Sequence, residues 1–286
     1  MYATLNDTKL YFDVDGAEED VQNGEIHHKP VVFVIHGGPG GSHFSFKPHL
    51  DRLTEHAQLV YIDQRGCGYS EENNPETYTL ENNVADIEAL RQYLGLSKIW
   101  ILGHSYGGMV AMSYAVKYQQ HLHGLLLAAT SPSYRFLDKA KKYIEANGNE
   151  EQKYYATKLW QGNFQSEEEL QAYYDVMEPL YSVASQSASA TGSKVKTKRS
   201  YQALNQGFGG FLRSFDVIEK LPNVHVPTLI IAAESDWITP TSENRVIHEN
   251  MPQSAFHLLK NSSHSVFVDQ RDECLTLIGD FLDDHR

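Results

Sequence analysis

The chain has 286 residues, 41% hydrophobic, 21% charged and 11% aromatic, which excludes a disordered or collagen-like polymer and suits a globular core that needs neither disulfides nor metal. Its 24 basic and 37 acidic residues give a net charge of −13, which repels phosphate backbones and anionic lipid and sets aside nucleic acid and membrane surfaces as partners. Two distant cysteines, Cys67 and Cys274, no leader-like N-terminus and no apolar run near the roughly 20 residues of a membrane helix make a soluble, cytoplasmic protein the expectation.

Leu5, Leu10, Phe12 and Val14 sit among polar residues up to a break at Asp15-Gly16, the pattern of a hairpin or short edge strands. Ala17 to Lys29 is polar and receives no element. Pro30 to Ile35, ending at Gly37-Gly38, and Gln58 to Ile62, ending at Asp63, are continuous β-branched and aromatic runs, as strands buried on both faces require. Thr79 offers an N-cap to a helix carrying Leu80, Val84, Ile87, Leu90 and Leu94, with a stop at Gly95. A strand at Lys98 to Leu102, a helix from Ser105 to about Tyr118 and a strand at Leu122 to Ala128 follow. This alternation predicts an α/β fold with a mostly parallel sheet and right-handed crossovers.

From Pro132 the pattern changes to helical stretches rich in Tyr, Lys and Glu, and strand character resumes only at Pro227 to Ala233. The expected organisation is a core of residues 1–133 and 216–286 with a helical cap inserted at 134–215. Asp138 to Ser182 carries nine acidic against five basic residues, Val183 to Arg213 five basic and none acidic, and the uncharged segment Ser182 to Ser193 reads as a mobile loop. A helix at Thr241 to Glu249, a strand at Ser254 to Leu259 and a helix from about Asp272 to Asp283 complete the chain.

Gly103-His104-Ser105-Tyr106-Gly107 fits G-x-S-x-G between a strand and a helix, the setting of a nucleophile elbow, in which small flanking residues let a strained serine project from the sheet edge. A serine hydroxyl needs a histidine base and an acid to orient that base. In hydrolases built on such an elbow the acid follows a late strand and the histidine the last loop. Asp236, just past Leu229 to Ala233, and His264, just past the last strand, occupy those places; Glu234 is the alternative acid, whereas His257 and His248 fall inside a strand and a helix. The backbone N–H of Tyr106 and one from the loop His36-Gly37-Gly38-Pro39-Gly40-Gly41 would form an oxyanion hole. That loop lacks the lysine of a phosphate-binding P-loop, no metal-binding spacing occurs, and a triad requires no cofactor.

His-Gly-Gly-Pro-Gly at 36–40, Asp-Gln-Arg-Gly-Cys-Gly-Tyr-Ser at 63–70 and Gly-His-Ser-Tyr-Gly-Gly at 103–108 together resemble the proline iminopeptidase (prolyl aminopeptidase) group of α/β-hydrolase fold serine hydrolases. The resemblance implies release of an N-terminal residue, usually proline, from a peptide, with Ser105, Asp236 and His264 as the triad and the N–H of Gly38 completing the oxyanion hole. It also implies cap carboxylates that hold the substrate's ammonium, for which Glu178, Glu145 and Asp175 are the candidates here. The Trp-rich acidic motif of larger members is replaced by Asn205-Gln-Gly-Phe-Gly-Gly-Phe-Leu212, which keeps a carboxylesterase acting on short acyl esters open as the alternative. A ligand receptor without turnover is the reading from another class, and an intact triad argues against it. Asp63 and Arg65 are expected to pair and shape their turn, and Cys67 to pack near the pocket.

Overall fold

The computed structural model describes residues 1–22, 24–47, 49–186 and 198–285. Strands β1 (Tyr2–Leu5) and β2 (Thr8–Asp15) form the antiparallel hairpin that the first alternating residues predict. The polar stretch after it contains a second hairpin, β3 (Glu19–Gln22) and β4 (Glu25–His28), where the sequence pattern predicts no element. Its only apolar cross-strand pair, Val21 and Ile26, is exposed, so burial leaves no hydrophobic pattern there to read.

The large sheet has eight strands, and β2 joins it antiparallel to β6 (Gln58–Asp63). Next to β6 lie β5 (Val31–Ile35), β7 (Ile99–His104), β8 (Leu122–Ala128), β9 (Thr228–Ala233) and β10 (Ser254–Leu259), all parallel. The connections include α1 (Leu80–Tyr93) and α2 (Tyr106–Tyr118). Thr79 caps α1 by accepting from the Asn82 N–H, and the chain leaves the helix through Gly95 at φ 69°.

Alternate strand residues face opposite sides, which divides the core into two layers. Phe33, Ile35, Val60 and Ile101 pack with Ile87 and Leu90 of α1 and Val110 of α2. Val34, Tyr61, Trp100 and Leu102 pack on the other face with Leu275, Ile278 and Leu282 of the C-terminal helix. Each such side chain contributes about 1.5–3 kcal/mol through burial. A sheet covered on both faces therefore requires the unbroken apolar runs seen in β5 to β9.

Between β8 and β9 the chain forms α3 (Arg135–Asn147), α4 (Glu150–Gln161), α5 (Glu167–Tyr181) and α6 (Tyr201–Gly209). It leaves and returns at one place: Ser133 and Asp216 form an antiparallel bridge, and the Val217 N–H donates to Pro132 O at 3.0 Å. Ser182, expected at the start of a mobile loop, is buried and hydrogen-bonded to Asp269; positions 187–193 of that expectation lie outside the described residues. After β9 come α7 (Thr241–Asn250), β10, the short α8 (Val266–Asp269) and α9 (Arg271–Asp284). No helix among the described residues is long and apolar enough to cross a membrane.

Candidate active site

Ser105 lies between β7 and α2 at φ 55° and ψ −121°, a conformation that costs an L-residue energy. Small neighbours make the turn possible. A Cβ at Gly107 would collide with the Ile35 carbonyl, and one at Gly103 with the Gly107 carbonyl. The elbow is tied down by the Ser105 N–H donating to Ala128 O at 3.0 Å and by the Thr130 hydroxyl donating to Ser105 O at 2.6 Å. Tyr106 is the first residue of α2, so its N–H has no acceptor within the helix.

His264 stands on the loop between β10 and α8, and its Nδ1 is 2.8 Å from Asp236 Oδ2. Asp236 follows β9 and is buried. Its Oδ1 accepts the N–H groups of Ile238 and Thr239, both at 2.9 Å, and Oδ2 accepts the Thr239 hydroxyl at 2.8 Å. Burial by itself would raise the Asp236 carboxyl, but His264 and these donors outweigh it and hold the group below the ordinary carboxylate value. An ionised acceptor at this position fixes the proton of a neutral His264 on Nδ1 and leaves Nε2 with a lone pair. Glu234, the alternative acid, is exposed and paired with Lys260 at 2.7 Å. His248 bonds Ser254 and His257 lies within β10.

The residue before Ser105 joins the two halves of the site. His104 donates from Nε2 to the His264 carbonyl at 2.9 Å, with the ring centroids 4.8 Å apart. Burial, reinforced by the neighbouring His264, pushes the His104 imidazole down to about 3, so it serves as a neutral donor. The loop after β5 passes on the other side, where a Cβ at Gly37 would lie 3.0 Å from Ser105 Cβ. His36 holds this loop: its Nε2 accepts the Gln64 N–H at 3.1 Å, which leaves Nδ1–H to donate to Gly37 O at 2.8 Å. Burial lowers the His36 imidazole as well, in keeping with that neutral form.

A serine elbow, a buried Asp–His pair and a glycine loop at the same ends of parallel strands coincide with a match to the α/β hydrolase fold model over residues 30–270. The chain belongs to the α/β-hydrolase fold family. It is 31% identical over 266 residues to the proline iminopeptidase of Saccharolobus solfataricus, covering 88% of this chain and 84% of that one. It is 30% identical over 275 residues to the proline iminopeptidase of Lactobacillus helveticus, covering 92% of each. The crystal structure of proline iminopeptidase from Mycobacterium smegmatis superposes with a TM-score of 0.74 at 21% identity, covering 100% of this chain and 98% of that one. This α/β-hydrolase is thus a hydrolytic enzyme, prolyl aminopeptidase-like.

Among the described residues, the segment between β8 and β9 of this α/β-hydrolase meets the site at the glycine loop, at Tyr106, whose ring lies 5.8 Å from that of Phe211, and beside His264. Ser200, the N-cap of α6, donates its N–H to Gly40 O at 2.8 Å, and Gly207 of α6 packs against Pro39. Tyr181, the last residue of α5, lies with its ring 5.5 Å from that of His264 and 5.4 Å from that of Trp237. The wall beside His264 is therefore aromatic. Glu178, Asp175 and Glu145 are all exposed; Glu178 accepts from Ser185 at 3.3 Å and Asp175 from Gln171 at 3.2 Å.

The expected Asp63–Arg65 pair does not form. The chain turns at Gln64, where the Cys67 N–H donates to Gln64 O at 2.9 Å, so the two side chains diverge. Asp63 accepts the N–H groups of His43 and Tyr69 at 2.7 and 2.8 Å and faces His43 Nδ1 at 2.9 Å. Arg65 forms a two-pronged bond with Asp86 of α1, at 2.7 and 2.8 Å. Cys67 is buried with Tyr78 and Ala203 of α6, and burial raises its thiol well above the ordinary value, which makes it packing. Sequence reasoning missed His104, Thr239, Tyr181 and Asp269. His104 sits inside the G-x-S-x-G motif and Thr239 three residues beyond Asp236, where a hydroxyl can turn back on a carboxylate, but nothing in the sequence marks the other two.

Proposed function

We propose that the protein releases an N-terminal residue, proline preferred, from short peptides through Ser105, His264 and Asp236, with residues 134–215 acting as a cap on a core of 1–133 and 216–286. His264 takes the Ser105 proton on Nε2 as Oγ adds to the carbonyl carbon. The N–H groups of Gly38 and Tyr106 receive the oxyanion. His264 then gives the proton to the departing amine, and a water, deprotonated by the same imidazole, cleaves the ester on Ser105 and releases the residue as a free acid. The chief support is the 2.8 Å Asp236–His264 bond beside a serine held at φ 55°. The relatives named proline iminopeptidase favour a peptide substrate.

For the substrate ammonium, Glu178 ranks ahead of Glu145 and Asp175. It precedes Tyr181 by three residues on α5, so the two share a helix side. Ser105→Ala, purified and folded, should lose turnover of prolyl p-nitroanilide; retained turnover would refute the mechanism.

A second reading, a carboxylesterase for short acyl esters, draws on the aromatic wall of Tyr181 and Trp237 and on the exposure of the three carboxylates. Prolyl p-nitroanilide, its N-acetylated form and p-nitrophenyl butyrate separate the two. An aminopeptidase loses the blocked amide, whereas an esterase prefers the ester.

A further inference from the structure

Asp269, the last residue of α8, gathers donors from two parts of the chain that are 80 residues apart in sequence. Its Oδ1 accepts the Ser182 hydroxyl at 2.5 Å and the Ala184 N–H at 3.1 Å. Its Oδ2 accepts the Val183 N–H at 3.1 Å and the Ser263 N–H at 2.8 Å. One carboxylate thus closes the exit of α5 onto the residue before His264. The same two segments meet twice more: the Ser263 hydroxyl donates to Leu180 O at 2.6 Å, and the Ser265 N–H donates to Tyr181 O at 2.8 Å.

His264 is consequently fixed from both sides. The residues flanking it, Ser263 and Ser265, are bonded to the end of α5, while its own carbonyl is bonded to His104 on the nucleophile's strand. A carboxylate accepting four donors is the strongest member of this set, because hydrogen bonds to an ionised acceptor exceed those between neutral groups. We infer that Asp269 is a positioning residue, which sets the orientation of His264 by strapping the exit of α5 to the base-bearing loop. Displacement of this exit by the substrate would therefore move the base, and correct seating of the cap would be a condition for activating Ser105.

The inference rests on the reading of His264 as the base. Its test separates activation of the serine from binding of the substrate. A small fluorophosphonate reports Ser105 activation with little need of the cap, whereas prolyl p-nitroanilide reports both steps. Asp269→Asn keeps the size and one acceptor oxygen but sets an NH2 group against backbone donors. It should react with the fluorophosphonate about tenfold to a hundredfold more slowly, since small misplacements of a reacting group cost that much. Its kcat for the arylamide should fall by a similar factor, with KM changed by no more than about threefold.

Ser182→Ala removes one of the four bonds, and it serves as the test if Asp269→Asn does not fold; a several-fold slower labelling is expected. Labelling of a folded Asp269→Asn, or in its place Ser182→Ala, at the wild-type rate would overturn the inference, as would a loss confined to KM. A wild-type chain that takes no label would instead overturn the serine-hydrolase reading itself.

Discussion

The backbone at Ser105 offers a direct measure of what the elbow costs. A residue with φ 55° and ψ −121° occupies a region that glycine enters freely and L-residues do not. Ser105→Ala and Ser105→Gly both delete the hydroxyl, so comparing the two cancels its contacts and isolates the backbone. Releasing the strain is worth about 1–3 kcal/mol, and the extra freedom of glycine in the unfolded chain takes back about 0.5–1 kcal/mol. The glycine variant should therefore be more stable than the alanine variant by about 1 kcal/mol, with neither expected to turn over substrate. Urea denaturation monitored by tryptophan fluorescence reads this as a higher midpoint at unchanged slope. A glycine variant less stable than the alanine variant would show that the turn holds no strain and that the elbow is not a stressed launching point for the nucleophile.

Two other substitutions test the buried charges. Asp86→Ala leaves Arg65, itself buried, without its counter-ion and should cost about 3–5 kcal/mol, whereas the paired change Arg65→Met with Asp86→Leu should cost less; equal losses in urea midpoints would contradict this. Thr239→Val removes one hydroxyl donor from the ionised Asp236 and should cost about 1.5–3 kcal/mol at pH 7. Because Asp236 is depressed in the fold, the stability it contributes is complete above the unfolded carboxylate value of about 3.9 and is lost as the pH falls through its lower folded value. The difference between variant and wild type should thus be the same at pH 7 and pH 5 and narrow below about pH 4; a gap that widens on acidification would refute the assignment.

The parts legible in the sequence are those in which burial writes a pattern. The strands expected at Pro30 to Ile35 and Lys98 to Leu102 occur at Val31–Ile35 and Ile99–His104 because a strand covered on both faces leaves an apolar run, and Thr79 and Gly95 bracket α1 with the chemistry of caps. The hairpin at Glu19–Gln22 and Glu25–His28 escapes because its apolar pair, Val21 and Ile26, is exposed and leaves no buried pattern. Asp236 and Glu234 cannot be told apart by type, only by where β9 ends, and it is burial against His264 for one and exposure beside Lys260 for the other that separates them. Asp63 and Arg65 mislead because proximity in sequence is not proximity in space once the chain turns at Gln64. Asp269 carries no local signal at all, since its four donors come from two loops that only the fold brings together.

The two readings of the substrate place overlapping demands on this machinery. An activated phenolate leaves an ester without a proton, so only activated esters spare His264 the role of acid; the alkoxide of an ordinary ester needs that proton too. An amide nitrogen leaves only after it is protonated, so the same imidazole must carry its proton across the site to the leaving amine before the tetrahedral adduct reverts. The structure invests heavily in the orientation of this ring: Asp236 holds Nδ1, His104 holds the carbonyl, and the end of α5 holds both neighbouring residues. The ring itself is held at Nδ1 and its backbone from two further sides, which suits a proton donor that must hit a second target, whether amine or alkoxide. Anchorage of the base therefore serves either substrate, and what separates the two readings is recognition of a free amino group, which the free and N-acetylated prolyl arylamides report directly.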